Sequence, residues 1–133
     1  MESSTRGAIR IKRAYEEPEP DDGYRVLIDR LWPRGIGKEH LRLDAWLKEL
    51  APSPELRKWF GHDPARWEEF QKRYRAELSA PEAQTLLTEL AERADLGPVT
   101  LIYAARDEQH NNAVVIRELL EERLGRVGGR TTP

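Results

Sequence analysis

The sequence predicts an α/β fold: a small three-layer single domain with a mostly parallel sheet flanked by helices. Three observations carry this expectation. Two short apolar runs, Tyr24 to Asp29 and Val99 to Ala104, read as strands, and each ends in a polar cluster. Long stretches between and after them place apolar residues at three- and four-residue spacing, the period of a helix. The order of strands, then helices, then strand and helix favours crossover connections, which join parallel strands.

Each element has its own signal. Ala8 to Arg13 alternates apolar and basic residues, as a strand near a sheet edge does. Glu16 to Gly23 holds five acids, two prolines and a glycine and reads as a solvated loop. Tyr24 to Asp29 is the second strand, and Pro33 and Gly35 break the chain after it. Leu43, Trp46, Leu47 and Leu50 have helical spacing, yet Pro52-Ser53-Pro54 follows, and proline disfavours helix in the residue before it. Residues 43–51 therefore stay open between strand and helix; the reading taken is a short helix at Lys38 to Arg42 and a strand near Trp46 to Leu50. Ser53 as N-cap, with Pro54 at the first helical position, starts a short helix that ends at Gly61. Asp63-Pro64 repeats that signal, and Trp67, Phe70, Tyr74 and Leu78 then form one apolar helix face. Pro81 opens a helix with Ala83, Leu86, Leu87, Leu90 and Ala94 inward, closed by Gly97-Pro98. Val99 to Ala104 is the most apolar strand, and Asn112 to Leu124 is a helix stopped by Gly125. The expected domain spans residues 8–124, with 1–7 and 125–133 as disordered tails.

Composition narrows the function. A length of 133 residues suits one domain. With 35% charged residues and a net charge of −2, the surface is highly charged but nearly balanced. That argues against nucleic acid or an anionic membrane as the main partner. No apolar run approaches the roughly 20 residues that span a bilayer, and Met1 to Gly7 lacks a hydrophobic signal core, so a cytoplasmic location is expected. The chain has no cysteine, which excludes disulfides, thiol catalysis and cysteine-ligated metal.

In an open parallel sheet the ligand crevice lies outside the carboxyl ends of the strands. The polar clusters that end the two apolar runs are thus the candidate site. In the first, Arg30 and Arg34 flank Trp32. Arginine presents a planar fork matched to phosphate or carboxylate, and the indole can stack on a planar group. A bland reading stands beside this one: arginines bridging surface acids and a tryptophan plugging the sheet edge. In the second, Arg106, Asp107, His110, Asn111 and Asn112 precede a helix, whose N-terminal amides bind anions readily. His110 can act as acid or base near neutral pH, with Asp107 as its orienter. Here the bland reading is that Asn111 is an N-cap and His110 a solvated loop residue. His62 follows Gly61 and is able to reach the same rim, while Asp63 reads as an N-cap. The three histidines share no metal-type spacing, so no metal site is expected, and no cofactor motif is present. Arg66, Lys72, Arg73 and Arg75 alternate with Glu68, Glu69 and Glu77 and read as a solvated face.

The segments Asp29-Arg30-Leu31-Trp32-Pro33-Arg34-Gly35, Leu50-Ala51-Pro52-Ser53, Leu56 to Asp63 and Tyr103 to Glu108 with His110-Asn111 resemble the YeaO-like proteins, members of the bacterial domain of unknown function 488. The resemblance runs from about Ile9 to Leu124. It implies a small α/β domain in a cytoplasmic bacterial protein and supplies no agreed reaction. Some members are labelled transcriptional regulators, but no helix-turn-helix pattern is seen here. More distant members end the last strand with a cysteine and place a Cys-His-Arg run at the next helix start. Here those places resemble Tyr103 and Asn111-Asn112-Ala113, so thiol or metal chemistry does not carry over.

The resulting expectation is a domain that binds, and in one version processes, a small anionic ligand such as a nucleotide or phosphorylated metabolite. Arg30, Arg34 and Arg106 hold charge, Asn111 and Asn112 orient the ligand, Trp32 packs on a planar part, and His110 or His62 transfers a proton. The rival is a non-enzymatic module whose Arg/Trp rim docks a protein or nucleic acid. A concave rim favours the ligand, a flat or convex one the rival.

Overall fold

The computed structural model describes residues 8–125. Four parallel strands, β1 (Ile9–Arg13), β2 (Tyr24–Leu27), β3 (Ala45–Trp46) and β4 (Val99–Tyr103), form one sheet in the order β1-β4-β2-β3. The helices are α1 (Lys38–Leu41), α2 (Pro54–Phe60), α3 (Trp67–Glu77), α4 (Pro81–Leu96) and α5 (Asn112–Arg123). The small α/β domain expected from the sequence is what forms. The tails expected at residues 1–7 and 125–133 lie outside the described residues, except for Gly125, whose N–H donates to the Glu122 carbonyl at 3.1 Å. Among those described, no helix is long and apolar enough to cross a membrane.

Strand composition follows strand position. β4 is central, covered on both faces, and every residue in it is buried, as its unbroken apolar run requires. β1 lies at an edge, and its alternation places Ile9 and Ile11 against the helices while Arg10 and Lys12 point to the other face. The main core joins Val26, Ile28, Leu101 and Tyr103 of the sheet region to apolar residues of α2 to α5. Phe60, Phe70 and Tyr74 form its aromatic centre. Phe60 stacks on Phe70 at 4.3 Å, Trp67 lies 5.6 Å from Phe70, and Tyr74 follows at 5.4 Å. The opposite layer is thin. Leu27, Ile102 and Ala14 pack there against Leu41 of α1 and against Trp32, Ile36, Leu43 and Trp46.

At the amino end of that second face the acidic loop is pinned through Asp22, while its other four acids are exposed. Asp22 is buried and accepts from Lys12 Nζ at 2.9 Å and from Arg25 Nη1 at 2.6 Å. Arg25 also donates to the Leu41 carbonyl at 2.7 Å, and Thr100 Oγ1 donates to the Asp22 carbonyl at 2.7 Å. Burial pushes the Asp22 carboxyl up, but hydrogen bonds from the Glu19 backbone, Lys12 and Arg25 outweigh it and hold the group below its usual range. Gly23, at φ +68°, is needed at the end of this loop: a Cβ there would lie 2.2 Å from the Pro98 carbonyl oxygen.

The segment whose character the sequence left open resolves differently from the strand expected at Trp46 to Leu50. The strand is only Ala45–Trp46, paired with Val26 and Leu27, and Lys48–Leu50 is a single 3₁₀ turn. The approach to Pro52 forbids a longer helix. The turn in its place points the Leu50 carbonyl inward, where the Tyr74 hydroxyl donates to it.

Candidate functional site

The two polar junctions meet. β2 and β4 are adjacent and parallel, with Leu27 opposite Ile102, and the Ile28 N–H donates to the Ile102 carbonyl at 3.2 Å. Their carboxyl ends therefore open on one rim. Asp29 ties the ends together. One carboxylate oxygen accepts from the Ala104 N–H at 2.9 Å, and the other from Asn112 Nδ2 at 3.0 Å. Asn112 Nδ2 also donates to the Ile28 carbonyl at 3.1 Å. The first residue of α5 is thus fastened to the end of β2.

A cavity of about 320 Å³ opens above this junction. Its polar lining includes Asp29, Arg30, Arg34, Arg57, His62 and His110, and Phe60 and Phe70 supply an apolar wall. The volume stands at the lower end of the range for small-molecule sites. Three arginines and two histidines face it against one carboxylate. Among the described residues, none of Arg30, Arg34 and Arg57 is in an ion pair within 4.0 Å. Burial pushes the Asp29 carboxyl above its usual range; the hydrogen bonds from Asn112 and Ala104 and the charges of Arg57 and His62 oppose that shift.

The second junction is a tight polar turn. Asp107 Oδ1 accepts from the Gln109 and His110 N–H groups at 2.9 and 3.0 Å, and Oδ2 lies 2.9 Å from His110 Nδ1. The Gln109 N–H, then the His110 ring, hold the Asp107 carboxyl below its usual range. The His110 ring packs edge-on to Trp67 at 5.3 Å. With Nδ1 oriented by Asp107, Nε2 is the nitrogen left for a ligand.

Other expected site residues have different work. Asn111 is buried; Oδ1 caps α5 by accepting from the Val114 N–H at 3.1 Å, and Nδ2 donates to the Asp107 carbonyl at 2.8 Å. Both ends of its amide serve the turn, so the cap forms as expected, and the residue also lines the cavity. Arg106 is exposed and does not line the cavity, which removes it from the charge-holding set. Trp32 lines the cavity but donates Nε1–H to the Ile36 carbonyl at 2.7 Å and packs against Trp46 at 5.4 Å, so it also plugs the sheet end. His62 lines the cavity from a left-handed backbone conformation, φ +57°. Tyr103, at the place where distant relatives are expected to carry cysteine, is buried. Burial, with the charges of Glu108 and Glu16, pushes its phenol up to about 12. It stays protonated at neutral pH.

Two charged lining residues, Asp29 and Arg57, were not singled out from the sequence. Asp29 was legible as the charge that ends an apolar strand. Arg57 sits on an exposed helix position with other charges, and only its place in the Leu56 to Asp63 motif distinguishes it.

A small α/β domain with a parallel sheet fits what the motifs suggested, and comparison with known proteins settles the family. A family model described as "Inactive DUF488-N3 subclade" matches residues 8–133. An uncharacterised protein of Mycobacterium tuberculosis (strain H37Rv) is 44% identical over 115 residues, covering 86% of this chain and 95% of that one, and a protein of Mycobacterium bovis matches equally. The uncharacterised protein YeaO of Escherichia coli K12 is 45% identical over 112 residues, 84% of this chain and 96% of its own. No solved structure gives a significant match. The chain belongs to the YeaO-like DUF488 family.

Proposed function

We propose that this protein is a cytoplasmic binder of a small anionic ligand, a nucleotide or phosphorylated metabolite, held in the cavity at the carboxyl ends of β2 and β4. The observation that carries the reading is the charge of a concave lining: Arg30, Arg34 and Arg57, unpaired within 4.0 Å among the described residues, with His62 and His110, against Asp29 alone. Guanidinium groups without an ion pair among the described residues and gathered around a cavity favour phosphate or carboxylate. His110, oriented by Asp107, presents Nε2 as a donor to the bound anion or, in a protein that processes its ligand, as the proton-transfer group. The description of the matching family as inactive favours binding without turnover.

The rival is a docking surface, favoured by two exposed apolar residues at the cavity mouth, Leu31 at 59% and Tyr15 at 44% exposure. The concavity weighs against it. A thermal-shift screen over nucleotides and phosphometabolites separates the two. A ligand at 100 times its Kd raises stability by about 2.7 kcal/mol, and that shift is expected to vanish in the Arg30→Met/Arg34→Met protein. A screen without any shift, together with capture of a protein partner that Trp32→Ala abolishes, would give the rival the lead.

A further inference from the structure

An anion site has no use for a carboxylate on its wall, yet Asp29 is built into this one. It is anchored through both oxygens, by Asn112 Nδ2 and by the Ala104 N–H, and it still lines the cavity. A carboxylate oxygen has two acceptor positions, and each anchor occupies one. Arg57 and His62 act on Asp29 electrostatically, but neither brings a side-chain nitrogen within 4.0 Å of its carboxylate oxygens. The cavity therefore presents an acceptor carboxylate and cationic donors that are not paired with each other among the described residues. The complement of such a lining is a molecule that carries both hydroxyl donors and an anionic group.

We infer that the cavity takes a phosphorylated polyol, such as a sugar phosphate or the ribose phosphate of a nucleotide, with a hydroxyl donating to Asp29 and the phosphate held by Arg30, Arg34 and Arg57. The inference rests on the anion-binding reading and narrows it to a ligand class. Simple anions gain from the arginines and lose to the repulsion of Asp29. A hydroxylated phosphoester replaces that repulsion by a charge-assisted hydrogen bond in a partly dry site, where such bonds are strong. Phe60 and Phe70 give its carbon skeleton an apolar surface.

The test is calorimetric titration of the intact protein with inorganic phosphate, n-propyl phosphate, glycerol 3-phosphate and ribose 5-phosphate. Glycerol 3-phosphate and n-propyl phosphate have the same three-carbon skeleton and differ in two hydroxyls. A site that hydrogen-bonds a hydroxyl rejects the analogue lacking it, so glycerol 3-phosphate is expected to bind at least about tenfold more tightly. Asp29→Asn, shown to be folded by circular dichroism, is expected to bring the two within about twofold without weakening inorganic phosphate. Equal affinity of the pair in the wild type overturns the inference, as does a preference that survives in folded Asp29→Asn. In either case binding that Arg30→Met/Arg34→Met abolishes leaves the anion site standing. If none of the four compounds binds, the anion reading itself fails and this inference with it. Should Asp29→Asn not fold, the wild-type pair decides.

Discussion

Replacing Asn112 by alanine should cost far more than its place at the start of a helix suggests. First-turn positions are usually tolerant, and surface substitutions stay within about 0.5 kcal/mol. Asn112, however, donates to the Ile28 carbonyl at 3.1 Å and to the Asp29 carboxylate at 3.0 Å. A bond to a neutral acceptor contributes about 0.5–1.5 kcal/mol and one to a charged acceptor about 1.5–3. Alanine returns at most about 0.7 kcal/mol through helix propensity. Water reaching the half-buried Asp29 offsets a further part, so the net loss is about 2 kcal/mol. Urea denaturation at pH 7, with an unchanged slope against denaturant, measures it. The same variant removes a hydrogen bond that opposes the upward shift of Asp29, so the Asp29 carboxyl should titrate higher by NMR. A stability change below about 0.5 kcal/mol, no larger than an ordinary surface substitution, would show that Asn112 does not fasten α5 to β2.

Other outcomes follow from the same geometry. Phe70→Ala should cost about 3–5 kcal/mol, since the ring is buried among Phe60, Trp67 and Tyr74; a loss below about 1 kcal/mol in reversible denaturation would contradict that stacking. Asp107 is held below its usual 3.8, so its contribution to stability is present above that pH and is lost as pH falls through the folded-state value. Asp107→Asn should therefore show a shallower acid limb in a stability-against-pH curve, and superimposable curves would dissolve the turn network. His110→Gln should leave ligand affinity within a few fold and remove any turnover the wild type shows. Asn111→Ala should cost about 1 kcal/mol as a lost cap with ligand affinity kept, and its loss would place Asn111 in the binding set.

How much of this was legible in the sequence depends on range. The parallel sheet, the helix starts at Ser53, Asp63 and Asn111 and the apolar face of α3 follow from local chemistry: caps whose oxygens meet Leu56, Ala65 and Val114 N–H groups, and a 3.6-residue period. The convergence of the two junctions followed from the rule for parallel strands. Three things were not local. The acidic loop looked solvated because its charges are read alone, whereas Asp22 is neutralised by Lys12 and Arg25 across the sheet face. Residues 45–50 divide into strand and turn because Tyr74, 24 residues on, takes the Leu50 carbonyl. In the site, Arg57 enters from α2, whose approach to the sheet no spacing rule fixes. Arg106 stands beside the right residues in sequence and outside the cavity in space.

The central claim is that Arg30 and Arg34 make the β2–β4 rim an anion site. The most direct measurement is a titration of ¹⁵N-labelled protein with inorganic phosphate and ribose 5-phosphate, followed by two-dimensional NMR. Perturbed amides are expected to cluster at residues 29–34, 57–62 and 104–112, and to lose their response in Arg30→Met/Arg34→Met while that variant keeps its fold, since exposed arginines without ion pairs contribute only about 0–1 kcal/mol. Shifts scattered over other surfaces, or a response unchanged in the double variant, would contradict the account.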